Sequence, residues 1–266
     1  MLSITKIRAG YAETAHGQIH YRLLGSGRAL ALLHQTASSS LMYETLMPYL
    51  AGWRIALDTP GFGQSFRPAA PLTIPFCADV LHEALINLGV TECDIFGHHT
   101  GAALAVQMAH SYPGFVRRLV LSGPPLLTAE QKSKLLAGLQ PFVIEASGAH
   151  LTTVWERLRR RDPALPLETV HREALLTLGA GEYALQTYHA VFAQNFAEQL
   201  ASLEIPVLVM AGEFDTLRAS LEPAFALLKR GQIRVIPEGT TYVCDSAPQA
   251  VAAHINQFLN GDEPHA

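Results

Sequence analysis

The segment that most constrains the fold is residues 92–110, where a short strand turns directly into a helix. Residues 93–96 form a mostly apolar run typical of a strand, and an alanine-rich helical pattern begins after Gly101. Gly97 and Gly101 bracket His99, and glycine permits both a sharp turn and close backbone packing. The sequence therefore predicts a tight, strained turn with His99 at its tip, above the ends of the strands.

This spacing is the layout of a nucleophile elbow, in which the pattern G-x-S-x-G presents a serine at the tip of a strand-to-helix turn. Both glycines are present, but His99 stands where the pattern places the nucleophilic hydroxyl. The function of the protein depends on what an imidazole does at that position.

Composition limits the possible partners and location. The 266 residues are 49% hydrophobic and 16% charged, which is typical of a globular protein, and the formal net charge of -4 provides no basic surface for nucleic acid or anionic membranes. The 3 cysteines are too scattered for a disulfide framework or a zinc cluster. The first ten residues lack a signal-peptide core, and no apolar run approaches the roughly 18 residues of a membrane span, so a cytoplasmic location is predicted.

Strand and helix patterns alternate over most of the chain, which predicts a mostly parallel sheet with helices on both faces. Between residues 128 and 203 only helical periodicity is found, so this part is predicted to be a helical insertion. The tail, residues 261–266, is predicted to fray. Strands are predicted at 9–13, 18–24, 29–33, 53–58, 93–96, 116–121, 206–211 and 233–236, and helical segments at 43–50, 76–88, 99–111, 217–230 and 248–259.

Five features in this order resemble the α/β-hydrolase superfamily. They are the HGxx-type loop at 34–37, the D-x-P-G-x-G-x-S loop at 58–65, the elbow at 97–101, the helical insertion, and the seventh strand with its G-x-x-D ending at 207–215. The resemblance implies a mostly parallel sheet of about eight strands, with a core at 1–125 and 204–266 and a helical cap at 126–203. It also places Asp215 at the family's acid position.

The chain departs from the family at the catalytic histidine. Counting seven residues back from Pro248, the spacing typical of the family, leads to Thr241, and residues 238–243 contain no histidine. Of the Ser-His-Asp triad only Asp215 is kept, which excludes a standard serine acyl-enzyme mechanism.

We hypothesise a relocated dyad in which His99 is the general base or nucleophile. Asp215 would orient its ring directly, through Thr241, or through a water molecule. The backbone amides of Thr36 and Thr100 are predicted to form an oxyanion hole, because that device depends on N–H groups and survives a change of side chain.

Further side chains are predicted to contact the substrate, each with a structural alternative. His34 is otherwise explained by hydrogen bonds within its own loop, His98 by packing against the helix, and the aromatic residues of the insertion by the core of the cap. No cofactor is predicted, and the histidine spacing matches no metal signature. The predicted substrate-binding residues are His34, Gln35, His98, Thr241, Tyr242, Trp155 and Tyr188.

Two classes of function remain open. The first is an enzyme acting on a small, apolar carbonyl compound, by hydrolysis of an ester, lactone or carbon–carbon bond or by related lyase chemistry. The alternative is a catalytically inactive pseudo-hydrolase or small-ligand receptor, since fold alone does not decide function. The expected partner is a small molecule, without nucleic acid or membrane, and a homodimer is compatible with the sequence.

Overall fold

An eight-stranded sheet forms the centre of the protein in the computed structural model, which describes residues 4–261. The strand order is β1-β2-β4-β3-β5-β6-β7-β8. The pairs β1–β2 and β2–β4 are antiparallel and the remaining pairs are parallel, so the predicted fold class is confirmed. The strands are β1 (Ile4–Ala12), β2 (Ile19–Gly25), β3 (Ala29–Leu33), β4 (Trp53–Leu57), β5 (Cys93–His98), β6 (Val116–Ser122), β7 (Val207–Gly212) and β8 (Gly231–Ile236).

Strands β3, β5 and β7 are buried along their whole length, since helices cover the sheet on both faces. Burial on both faces explains why β3 and β7 read as continuous apolar runs rather than as alternating patterns. The helices are α1 (Ile74–Asn87), α2 (Thr100–Ser111), α3 (Ala129–Gly138), α4 (Ala149–Arg161), α5 (Leu167–Ala180), α6 (Glu182–Ala193), α7 (Phe196–Ser202), α8 (Leu221–Ala226), α9 (Val243–Ser246) and α10 (Pro248–Asn260).

Helices α3 to α7 lie between β6 and β7 in the chain, within the range predicted as a cap. The division into cap and core at residues 126 and 203 stays a prediction. Nowhere between residues 4 and 261 is a helix both long and apolar enough to cross a bilayer.

Two helical predictions were too long, and a proline lies within each segment. Residues 43–50 contain parts of two short 3-10 helices, Ser40–Tyr43 and Met47–Tyr49, because Pro48 has no amide hydrogen to continue a helix. The helix predicted at 217–230 begins as α8 only at Leu221, with Pro223 in its first turn, and ends at Ala226. Of the tail predicted to fray, residues 262–266 lie outside the described residues.

The elbow depends on a very close approach between α2 and the strands below it. A Cβ atom on Gly97 would lie 2.2 Å from the carbonyl oxygen of Gly101, and one on Gly101 would lie 1.8 Å from the carbonyl oxygen of Leu33. Neither neighbour is a flexible side chain. The two glycines are therefore required for the first turn of α2 to pack on β3 and β5.

Replacement of Gly101 by alanine should lower the free energy of unfolding by about 3 kcal/mol, because backbone must move to admit the methyl group. Chemical denaturation monitored by circular dichroism measures the change. The matched control is Gly138→Ala at the end of α3, where an added Cβ would meet nothing within 4 Å, so stability should hold or rise slightly. Equal stability of the Gly101→Ala variant and the wild type would contradict the proposed packing constraint.

Candidate active site

His99 occupies the tip of the elbow in a backbone conformation that non-glycine residues rarely adopt. Its φ is 50° and its ψ is -108°, a combination that costs on the order of 1–3 kcal/mol. Neighbouring backbone holds it there, since the His99 amide donates to the Ser122 oxygen at 2.8 Å and the His99 oxygen accepts from the Ala102 amide at 2.9 Å. The turn thus presents the imidazole above the ends of β5 and β6.

The His99 ring contacts Asp215 directly. Its Nε2 atom lies 2.9 Å from each carboxylate oxygen. Asp215 follows β7 and its side chain is fully buried, whereas the His99 side chain keeps 13% of its surface exposed. Neither Thr241 nor water is needed to connect the two groups. Because a carboxylate only accepts, Nε2 carries the hydrogen and Nδ1 is left as the basic nitrogen.

Asp215 is ionised at neutral pH. Burial by itself would raise the pKa of its carboxyl group, but the electrostatic attraction and hydrogen bond of His99, together with the Leu217 amide, lower this pKa to about 2. The Leu217 amide donates to Oδ1 at 2.7 Å. A fixed negative charge therefore faces the Nε2 side of the His99 ring.

His98, which was predicted to bind substrate, is completely buried beside the pair. Its Nδ1 lies 2.9 Å from Ser122 Oγ and its Nε2 lies 2.8 Å from the Thr241 carbonyl oxygen. Burial first, and then the charge of His99, lower the pKa of His98 to about 3, so the ring is neutral. Both ring nitrogens are used within the protein, which leaves neither for a ligand.

Donor atoms of His98, His99 and Asp215 all lie within 4.8 Å of one another, a spacing compatible with a metal ion. Each of these groups is, however, already hydrogen-bonded within the protein. The imidazole rings of His98 and His99 are also stacked, with centroids 4.3 Å apart. A metal ion at this position would have to displace these hydrogen bonds.

The two predicted oxyanion-hole residues face each other across the elbow, with the Thr36 and Thr100 hydroxyl oxygens 2.8 Å apart. Thr100 is the first residue of α2, so its amide has no partner within the helix and stands at the positive end of the helix dipole. Gln35, in the same loop as Thr36, is buried, and its backbone oxygen accepts from the Ser38 amide.

His34 lies below this loop with both ring nitrogens hydrogen-bonded. Nδ1 donates to the Gln35 oxygen at 2.8 Å, and Nε2 accepts from the Thr59 amide at 2.9 Å. Burial lowers its pKa. These contacts match the structural alternative for His34, in which the ring joins the loop after β3 to the loop after β4.

The aromatic residues predicted to bind substrate lie at the junction of core and cap helices. Tyr242 is buried, which raises its pKa to about 12, and it packs in a cluster with residues of α4 and α5. Trp155 packs against the same cluster, and the Tyr188 ring lies 6.3 Å from Phe192. Contact of these rings with substrate stays a prediction.

Sequence reasoning missed Gly123, which lies directly beside the pair. It has a φ of 58°, and a Cβ atom there would lie 2.5 Å from His99 Nε2 and 3.2 Å from Asp215 Oδ2. The sequence feature that could have identified Gly123 is its position at the carboxyl end of β6, the strand next to β5 and the elbow.

Sequence reasoning also missed the polar contacts that α5 makes with α9 and with the loop after β3. Arg172 of α5 binds both carboxylate oxygens of Asp245, at 2.8 and 2.7 Å. Its neighbour Glu173 is buried and accepts from Ser38 Oγ. Helix α5 is thereby tied to the loop that carries Thr36 and to α9.

Three features together are typical of one class of enzymes that share a fold. They are the elbow, the buried acid after β7 and the strand order. The sequence profile described as the alpha/beta hydrolase fold matches residues 28–219. The chain therefore belongs to the alpha/beta hydrolase family.

Relatives and solved structures agree with this assignment. The chain is 27% identical over 220 residues to a poly(3-hydroxyalkanoate) depolymerase of Ectopseudomonas oleovorans, covering 80% of this chain and 76% of that protein. It is 26% identical over 266 residues to a 2-(acetamidomethylene)succinate hydrolase of Mesorhizobium japonicum, covering 91% of each. The bromoperoxidase structure from Bacillus anthracis has a TM-score of 0.81 and 17% identity, over 96% of this chain and 100% of that one, which shows the shared fold.

Gly123→Ala should separate His99 from Asp215, since the methyl group would occupy the space of the imidazole edge. A crystal structure of the variant should show Nε2 displaced from hydrogen-bond distance of the carboxylate. Gly179→Ala in α5, where a Cβ would meet nothing within 4 Å, is the control and should leave the pair intact. An unchanged pair in the Gly123→Ala variant would show that the ring is not confined there.

The wild type should lose stability in acid through Asp215. Its folded pKa of about 2 is below the ordinary 3.8, so ionisation stabilises the fold above pH 4 and this contribution disappears as the pH falls toward 2. It amounts to about 2 kcal/mol. Urea unfolding at several pH values should therefore show a steeper loss between pH 5 and 2 for the wild type than for Asp215→Asn. Identical pH dependence in the two proteins would count against an ionised, stabilising Asp215.

Proposed function

We propose that the protein is a hydrolase of small, apolar esters or lactones in which His99 is the general base and no serine acyl-enzyme forms. The observation that carries the proposal is the engagement of Nε2 by both oxygens of Asp215, which leaves Nδ1 as the reactive nitrogen. The two sequence relatives above are named a depolymerase and a hydrolase, which supports a bond-cleaving reaction.

In the proposed reaction, Nδ1 removes a proton from water while the water oxygen attacks the substrate carbonyl carbon. The carbonyl oxygen becomes an oxyanion, which the amides of Thr36 and Thr100 would stabilise. Collapse of this intermediate breaks the bond to the leaving alkoxide, which receives the proton from Nδ1. Asp215 remains ionised throughout and stabilises the positive charge that the imidazole carries between the two proton transfers.

General-base catalysis is favoured over direct attack by the position of Nδ1. This nitrogen is bonded to the ring carbon that carries Cβ, so it lies close to the backbone of the elbow, itself held in a strained turn. A small water molecule can bring its proton close to such an atom. A carbonyl carbon, which carries two substituents, approaches it less readily. Water activation also requires no second histidine, in agreement with Thr241 at the usual histidine position.

The proposal predicts that His99→Gln and Asp215→Asn each lower kcat/KM at least about a thousandfold, as expected for loss of a catalytic base or its orienting partner. Turnover is measured on a panel of p-nitrophenyl esters and lactones, with the Gly179→Ala variant as the folded control.

Three results would contradict this function. A mass increase on His99 after acid quenching would show a nucleophilic histidine instead of a base. Labelling of the elbow by a serine-directed phosphonate would show a hydroxyl nucleophile. Absence of turnover across the panel, with ligand binding unaffected by His99→Gln, would favour the receptor alternative.

A further inference from the structure

His98 occupies a position that connects three loops around the active-site pair. It is the last residue of β5, its Nδ1 contacts the side chain at the end of β6, and its Nε2 contacts the loop after β8. The side chain has no exposed surface. A buried polar ring satisfied on both sides in this way fixes the relative positions of the elements that it joins.

The hydrogen-bond partners determine the protonation of the His98 ring. The Thr241 carbonyl oxygen can only accept, so Nε2 carries the hydrogen. Nδ1 is then the acceptor for the Ser122 hydroxyl. His98 is therefore a neutral imidazole that carries no charge beside the His99 ring.

The same ring supports the His99 imidazole. The two centroids are 4.3 Å apart with an interplanar angle of 29°, so the His98 ring lies against a face of its neighbour. The edge of the His99 ring that includes Nε2 is next to the backbone of Gly123. The His99 ring is therefore confined by His98 as well as by its hydrogen bonds to Asp215.

The hydrogen-bond chain also extends to the acid. Thr241, held through its carbonyl by His98, has its hydroxyl 3.3 Å from the hydroxyl of Thr216, the residue after Asp215. His98 thus contacts the base through ring stacking and reaches the loop of the acid through Thr241.

We propose that His98 is a positioning residue, a neutral imidazole whose contacts with Ser122, Thr241 and the ring of His99 hold the base at Asp215. The inference rests on the proposed function only for its kinetic test. The orientation of the His99 ring can be measured whether or not a substrate is known.

The first test is NMR spectroscopy of protein labelled with 15N-histidine, with the His99 signals assigned by their loss in His99→Gln. In the wild type, His99 should be a single tautomer with the hydrogen on Nε2. In His98→Leu the His99 signals should broaden or indicate both tautomers. His98→Gln should restore part of the wild-type pattern, because its amide can donate to the Thr241 carbonyl. Unchanged His99 signals in His98→Leu would overturn the proposal.

The second test is kinetic. His98→Leu should lower kcat about 10- to 100-fold, the size expected for a misplaced base, with KM changed less than about twofold and part of kcat recovered in His98→Gln. His20→Leu is the matched control, since it removes another buried histidine, bonded to Asp58 at 2.9 Å, and should leave kcat unchanged. Equal kcat in His98→Leu and the wild type would overturn the proposal while leaving the function intact.

If His98→Leu does not fold, Ser122→Ala replaces it, since this change removes only the donor to Nδ1 and should give the same spectral change to a smaller degree. If the His99 signals of the wild type showed more than one tautomer, the inference would be contradicted before any variant was compared. A wild type without turnover would remove the proposed hydrolase function, and the spectra would still decide the role of His98.

Discussion

The close packing of backbone at the elbow is the constraint on which the site depends. Gly97 and Gly101 leave no room for a Cβ atom, and this absence lets the first turn of α2 lie on β3 and β5. The consequence is a fixed tip at His99 and a free amide at Thr100, both at the carboxyl ends of the central strands. A side chain at either glycine would move the tip away from β6 and β7, where its partners are.

The fixed charge of the site is carried by Asp215. Asp215 is ionised and buried, while His98 and His34 have both ring nitrogens hydrogen-bonded within the protein. Among these three histidines, His99 alone retains an exposed part and an unengaged ring nitrogen within the described residues. The His99 imidazole has the acid partner of a triad without the serine, and this arrangement is the basis of the proposed activation of water by His99.

Helices α4 and α5 contact the rest of the protein through polar as well as apolar side chains. Arg172 lies between Asp245 and Glu173, and Glu173 in turn binds Ser38. Tyr242 extends from the core into the cluster formed by α4 and α5. Because α5 contacts both α9 and the loop that carries Thr36, a shift of α5 would be transmitted to that loop.

Most of the fold was predictable because its signals are local. The strand at 29–33 and the elbow at 97–101 follow from apolar runs and glycine spacing, which act over a few residues. The two helical segments that are shorter than predicted contain prolines, Pro48 and Pro223, which are local signals as well.

The sequence by itself determined the sheet, the turn at His99 and the absence of a histidine near Thr241, since each depends on the identity and order of neighbouring residues. Only the tertiary structure decided which ring nitrogen of His99 meets Asp215, and that His98 is turned inward to the Thr241 carbonyl. The position of Gly123 beside His99 and Asp215 was likewise visible only in the tertiary structure. These features join residues 24 to 143 positions apart, and the direction of a side chain at such distances is set by packing rather than by sequence pattern.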